Sequence, residues 1–136
     1  LIQPGKNYGW PIATYGTNYG SVPWPFNPHP GKQVGFEHPR FSFVPAIGIS
    51  NIIEPNEEEF PEWDEHLVVA SLWGKSLFAL KTEGDEITYS EQVLLGERLR
   101  ELIALSAGRI AVRTASGQRL VGRNGDSQRY NARQIL

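Results

Sequence analysis

Cysteine is absent from the 136 residues. That excludes disulfides, thiolate metal sites and cysteine nucleophiles, and it leaves the redox compartment open. Long apolar runs are missing too. None approaches the ~20 residues that cross a bilayer, so no membrane partner is expected. No helix of ordinary length is visible in the apolar pattern. No signal-peptide pattern opens the chain. It begins at Leu1, and Leu1-Ile2-Gln3-Pro4-Gly5 reads as the end of a strand entering a turn, as in a piece of a longer protein.

What is present describes one ordinary domain. Hydrophobic residues make up 40% and charged residues 21%, the balance of a soluble chain with a core. Net charge is −2, but it is unevenly spread. Residues 1–95 hold 5 basic and 12 acidic side chains, whereas residues 96–136 hold 8 arginines and 3 acids. An arginine-rich end can meet phosphate, carboxylate or an acidic partner surface. A solvated charged face accounts for it as well, and no nucleic-acid partner is expected.

The chain is organised around residues Phe60 to Arg100. Leu67 to Leu72 is apolar on both faces, as a doubly buried strand would be. Ser76 to Leu80 is similar, and Gly74 between them suits a tight reversal. After the polar break Thr82-Glu83-Gly84-Asp85, the residues Ile87, Tyr89 and Val93 alternate with Thr88, Ser90 and Gln92, the pattern of a strand with one wet face. Two interior strands followed by an amphipathic one is the order of a propeller blade; a meander in a sandwich has almost the same pattern.

Eight prolines stand among residues 1–45, at 4, 11, 23, 25, 28, 30, 39 and 45. They forbid regular helix and most ladder pairing. With Tyr8, Trp10, Tyr15, Tyr19, Trp24 and Phe26 between them, they predict a long irregular excursion tied down by aromatic packing. Phe41 to Ile49 reads as the strand that returns to the core. Glu54, Glu57, Glu58, Glu59, Glu62, Asp64 and Glu65 form an acidic loop without the spacing of a dedicated calcium loop. From Leu99 short strands recur: Leu99–Ala104, Arg109–Arg113 and Gln118–Arg123. The expected division is an excursion at 1–45, a sheet unit at 46–96, a partial unit at 97–123, and a polar tail or closing strand at 124–136.

Gly5-Lys6-Asn7-Tyr8-Gly9-Trp10-Pro11 resembles a signature of the glucose/sorbosone dehydrogenases, the soluble quinoprotein aldose sugar dehydrogenases. Phe60-Pro61-x-Trp63 with Leu67–Leu72, Glu97-Arg98-Leu99-Arg100-Glu101-Leu102, and Gly108-Arg109-Ile110-Ala111-Val112 resemble later family segments in the same order. The resemblance covers nearly all of residues 5–123. It implies an all-β fold of antiparallel four-stranded blades, about two blades from the C-terminal third of a six-bladed β-propeller. It implies pyrroloquinoline quinone (PQQ) and Ca²⁺ as cofactors, an aldose as substrate, and a periplasmic or secreted location.

By the same resemblance Arg98 and Arg100 contact the quinone, whose three carboxylates suit guanidinium forks. As residues i and i+2 of a strand they equally suit a surface pair on one face. Phe43 or Val44 stands where the family places an aromatic beside the quinone, and Ala46 replaces a hydroxyl residue. Lys75 can supply the basic side chain expected near Trp73. Tyr8 matches a position whose backbone carbonyl ligates a structural Ca²⁺. No catalytic residue is expected in this chain: His29, His38 and His66 do not match the family base.

Two readings follow. The chain is a fragment of a quinoprotein dehydrogenase-like propeller, inactive alone, or it is a non-catalytic β module that binds a partner. In either case two blades leave lateral faces open, and a homo-oligomer or a missing partner chain is expected.

Overall fold

A computed structural model of the chain describes residues 2–122 and 127–130, apart from residues 19, 21, 23, 27, 28, 30 and 107. The fold divides into two compact units, residues 1–46 and 47–136.

The first unit has neither strand nor α-helix among its described residues. Side chains hold it instead. Trp10 packs on Trp24 with ring centroids 4.8 Å apart, and Trp24 Nε1 donates to the Pro11 carbonyl at 2.7 Å. Phe41 meets Phe43 edge to face at 4.9 Å. The Asn7-Tyr8-Gly9-Trp10-Pro11 signature has a local physical cause. Asn7 Oδ1 accepts the Gly9 amide at 2.9 Å, an Asx turn. Gly9 then adopts a φ of 93°, and a Cβ there would lie 2.9 Å from Ala13 Cβ. Only glycine satisfies both demands.

The second unit is all-β, built as two successive four-stranded antiparallel meanders. The first holds β1 (Ile49–Ile53), β2 (His66–Ser71), β3 (Ser76–Glu83) and β4 (Glu86–Leu94). The second holds β5 (Leu99–Leu105), β6 (Arg109–Thr114), β7 (Gln118–Gly122) and β8 (Ser127–Tyr130). The only helical element among this unit's described residues is a 3-10 turn, Pro61–Trp63. No described helix is long and apolar enough to cross a membrane.

Strands β2 and β3 are buried on both faces, and their register shows why. Val68 pairs with Ala79 and Ala70 with Leu77, which puts four core side chains on one face. The opposite face carries Val69, 1% exposed, and Leu80, 5% exposed. Strand β4 is mostly exposed, with Tyr89 outward and Val93 packed on the core. A single cluster joins the two sheets: Val68, Ala70, Leu77 and Ala79 from the first meet Leu99, Leu102, Ile110 and Val112 from the second. Phe60 and Trp63, stacked 5.9 Å apart, belong to the same core.

Each sheet opens with the same backbone device. The β1–β2 register shifts between Ile49 and Asn51, leaving Ser50 as the extra residue. The β5–β6 register shifts between Leu99 and Glu101, leaving Arg100 as the extra residue. Without the second bulge Leu99 and Leu102 would face opposite sides of the sheet. With it both enter the core, at 0% and 4% exposure. The bulge also breaks the simple alternation that would set Arg98 and Arg100 on one strand face, and Arg98 precedes the strand.

The returning strand expected over Phe41–Ile49 begins only at Ile49. Pro45 has no N–H to give a ladder, and Gly48 sits at a φ of 66°. The first sheet has four strands, with the first displaced toward the C-terminus of the stretch expected for it. Within 124–136, β8 occupies 127–130; residues 124–126 and 131–136 lie outside the described residues.

Candidate functional site

The connections at one end of the second unit are hydrogen-bonded into a continuous rim. Trp73 N donates to the Ile47 carbonyl at 2.8 Å, and Gly74 N donates to the same oxygen at 3.2 Å. Leu95 N and Gly96 N both donate to the Lys75 carbonyl, at 3.1 and 3.0 Å. Ala115 N donates to the Arg98 carbonyl at 3.0 Å. The β2–β3 turn, the β4–β5 connection and the β6–β7 turn are thereby fixed to one another.

Three cations occupy this rim or its margin. Lys75 lies in the β2–β3 turn with a φ of 50°, and its side chain is exposed. Arg98 ends the β4–β5 connection, exposed, with Cζ 5.6 Å from the centroid of the Trp73 ring. Arg100 is the exposed bulge residue of β5. Bulges often re-aim a side chain beside a functional site.

The acids flanking the arginines are already engaged. Glu97 Oε2 accepts from Thr114 Oγ1 at 2.8 Å and from the Ser116 hydroxyl. Glu101 Oε2 accepts from Arg113 Nε at 2.8 Å. Among the described residues no carboxylate pairs with Arg98 or Arg100. In the run Glu97-Arg98-Leu99-Arg100-Glu101, the acids turn to β6 and its following turn while the arginines stay open. Such an arrangement suits a ligand with several carboxylates, which guanidinium forks bind with charge-assisted hydrogen bonds.

Tyr8 and Phe43 lie in the other unit. They share a cavity of about 350 Å³ with Trp10, Tyr15, Gln33 and Glu37 among its lining residues. The Tyr8 carbonyl accepts from Gln33 Nε2 at 2.5 Å. Glu37 pairs with Lys6 Nζ at 2.7 Å. That hydrogen bond, then the charge of Lys6, holds the Glu37 carboxyl below its ordinary 4.5 and the Lys6 ammonium above its ordinary 10.5. Among the described residues no group of three or more His, Cys, Asp or Glu is placed to hold a metal ion.

None of the three histidines lies in the connections that form the rim. His66 Nδ1 lies 2.6 Å from the Asp64 carbonyl of its own loop. His38 Nδ1 lies 3.1 Å from the Tyr15 hydroxyl, and His29 is exposed in the first unit. Three residues of the rim escaped the sequence reading: Trp73 as a partner of Arg98, and Glu97 and Glu101 as tied acids. Trp73-Gly74-Lys75 showed only a turn. The nearly symmetric spacing of the charges around Leu99 is the signal that points to the rest.

The second unit is thus all-β and carries two exposed arginines on or beside a hydrogen-bonded rim. Comparison gives its family. The model of the family described as Glucose / Sorbosone dehydrogenase matches residues 1–121, and the chain belongs to that family. It is 33% identical over 105 residues to the Escherichia coli aldose sugar dehydrogenase YliI, an alignment covering 75% of this chain and 28% of that protein. The crystal structure of a glucose dehydrogenase superposes with a TM-score of 0.75 at 36% identity, covering 86% of this chain and 34% of the other. The apo crystal structure of the soluble aldose sugar dehydrogenase of Escherichia coli gives a TM-score of 0.73 at 31% identity over 85% of this chain and 34% of the other. The chain thus spans under a third of the YliI protein and about a third of those solved chains.

Proposed function

We propose that this chain is the C-terminal part of a PQQ-dependent aldose sugar dehydrogenase-like six-bladed β-propeller, and that its two sheets are successive blades. Its contribution is the cofactor-side arginines, and it is inactive by itself. The observation that carries this reading is the charge sorting around Leu99: Glu97 and Glu101 are tied back while Arg98 and Arg100 stay exposed.

The donor set fits the quinone. Arg98, Arg100 and Lys75 would hold its carboxylates, and Phe43 of the first unit is assigned by family resemblance to its aromatic surroundings. When bound, the quinone accepts the two electrons released as an aldose is oxidised at its anomeric carbon. The residues of this chain bind and orient that group; none supplies the base that such a reaction needs. Tyr8 is assigned by the same resemblance to a structural Ca²⁺ through its carbonyl oxygen, which accepts from Gln33 Nε2 and keeps a second lone pair. A periplasmic or secreted location goes with this reading.

Two measurements test it. Calorimetric titration with PQQ should show binding that weakens about tenfold in Arg98→Ala and in Arg100→Ala, the loss expected for a hydrogen bond to a charged group. Undiminished affinity in both variants overturns the assignment. Dye reduction with glucose, PQQ and Ca²⁺ should show no turnover by this chain; clear turnover overturns the claim of inactivity.

The exposed apolar side chains favour association as well. Ile49, Ile52, Leu94 and Ile103 are each more than half exposed, and open sheet faces recruit partners. A homo-oligomer or a complementary chain is proposed to cover them. A monodisperse monomer in light scattering at micromolar concentration counts against this. The alternative, a non-catalytic binding module, is favoured by Ala46, which replaces the family's hydroxyl residue, and by Val44 if that residue and not Phe43 stands at the aromatic position. Tight PQQ binding through the two arginines excludes it.

A further inference from the structure

The Trp73 ring is 70% exposed. Leaving an indole in water is unfavourable, yet its backbone is fixed firmly. Trp73 N is bound to the Ile47 carbonyl at 2.8 Å. On the ring itself, Gly48 approaches so closely that a Cβ there would stand 3.0 Å from Trp73 Cδ1. The φ of 66° at Gly48 disfavours a side chain independently. The Arg98 guanidinium also lies over the ring, 5.6 Å from its centroid.

We infer that Trp73 is a positioning residue: its ring, held against Gly48, fixes the Arg98 guanidinium so that the cation faces a carboxylate ligand and not the glutamates beside it. This rests on the cofactor reading above. An exposed arginine on a flexible stem ordinarily samples many rotamers, and ordering it on binding lowers affinity. A guanidinium lying over an aromatic face is ordered in advance while N–H groups remain available to a ligand. The flanking acids cooperate. Glu97 is taken by Thr114 and Ser116, and Glu101 by Arg113, so neither competes for that cation. A lysine at Arg98 would lack the planar fork of N–H groups that grips a carboxylate in two bonds.

The test uses the full chain and PQQ as the probe, with Trp73→Ala, Trp73→Phe, Arg98→Ala and the double variant Trp73→Ala/Arg98→Ala. Trp73→Ala should weaken PQQ binding roughly 3-fold, the size of an exposed cation–π contact. Trp73→Phe should recover most of that loss. In the Arg98→Ala background Trp73→Ala should have no further effect, because the ring acts only through that guanidinium. Equal losses in the two backgrounds overturn the inference. A second readout does not depend on PQQ: the Arg98 Nε–H resonance should be displaced upfield by the ring current in the wild type and in Trp73→Phe, and lose that displacement in Trp73→Ala. An unchanged resonance in Trp73→Ala overturns the clamp. If the wild-type chain takes up no PQQ, the cofactor reading fails, while the resonance still decides whether the ring holds the cation.

Discussion

The two sheets begin alike and end differently. Each opens with a bulge at the second residue of its first strand, Ser50 in β1 and Arg100 in β5. In the first sheet the bulge residue is half-buried and joins the sheets: Ser50 Oγ donates to the Leu99 carbonyl at 2.7 Å, with the Ala70 carbonyl at 3.3 Å. In the second sheet the equivalent residue is an exposed arginine. The same backbone device therefore glues when its side chain is short and covered, and presents a charge when its side chain is long and open. A bulge fixes where a side chain points; the neighbouring sheet decides what it can do there.

The comparison breaks most severely at Leu99, which is fully buried in the shared core and whose carbonyl receives Ser50. Leu99→Ala should cost about 3 kcal/mol or more, the range for a leucine deleted from a packed core. Urea unfolding followed by circular dichroism measures it, and a loss under 1 kcal/mol would show that the two sheets do not share one core. Exchanging the bulge residues comes next. Ser50→Arg should cost about 2 to 3 kcal/mol, since a long cation must enter a packed junction. Arg100→Ser should stay within about 0.5 kcal/mol of wild type, as exposed substitutions do. Equal costs for the two would erase the distinction drawn between them. Ser50→Ala is milder, about 1 kcal/mol, for one lost hydrogen bond to a half-buried carbonyl.

Much of the strand pattern was legible because burial writes a period into the sequence. Leu67–Leu72 and Ser76–Leu80 showed as doubly buried runs, and β2 and β3 lie there. The alternation at Ile87, Tyr89 and Val93 marked β4. The bulges were not legible. An inserted residue breaks the period of two at one point, and a window of short strands absorbs that break without leaving a trace. The β1 strand was misplaced for a related reason: Phe41-Ser42-Phe43-Val44 has strand composition, but Pro45 and Gly48 interrupt it before pairing begins at Ile49. At the rim, Arg98, Arg100 and Lys75 were singled out through family resemblance. Trp73 was not, because a tryptophan in a turn looks the same whether or not a cation lies over it.

The smallest expected effect sharpens the contrast between tied and open charges in the other unit. Lys6 and Glu37 form an exposed pair, their side chains 46% and 43% accessible. The Lys6 hydrogen bond, then its charge, lowers the Glu37 pKa from 4.5. A lowered acid pKa contributes stability that is present above about 4.5 and lost as pH falls through the folded value. The raised Lys6 pKa works in the opposite direction, with its contribution complete below about 10.5 and lost as pH rises through the folded value. The pair is therefore fully formed between those limits, and it is weakened by salt because both groups are solvated. In a carbon-detected titration, Lys6→Met should move the Glu37 midpoint up toward 4.5, and added salt should do the same in the wild type. A midpoint that ignores both changes would mean the pair does not persist in solution. Arg98 and Arg100 pair with no carboxylate among the described residues, whereas here the cation is held by a carboxylate of its own unit, and that difference separates exposed charges on a rim from a clasp between two loop segments.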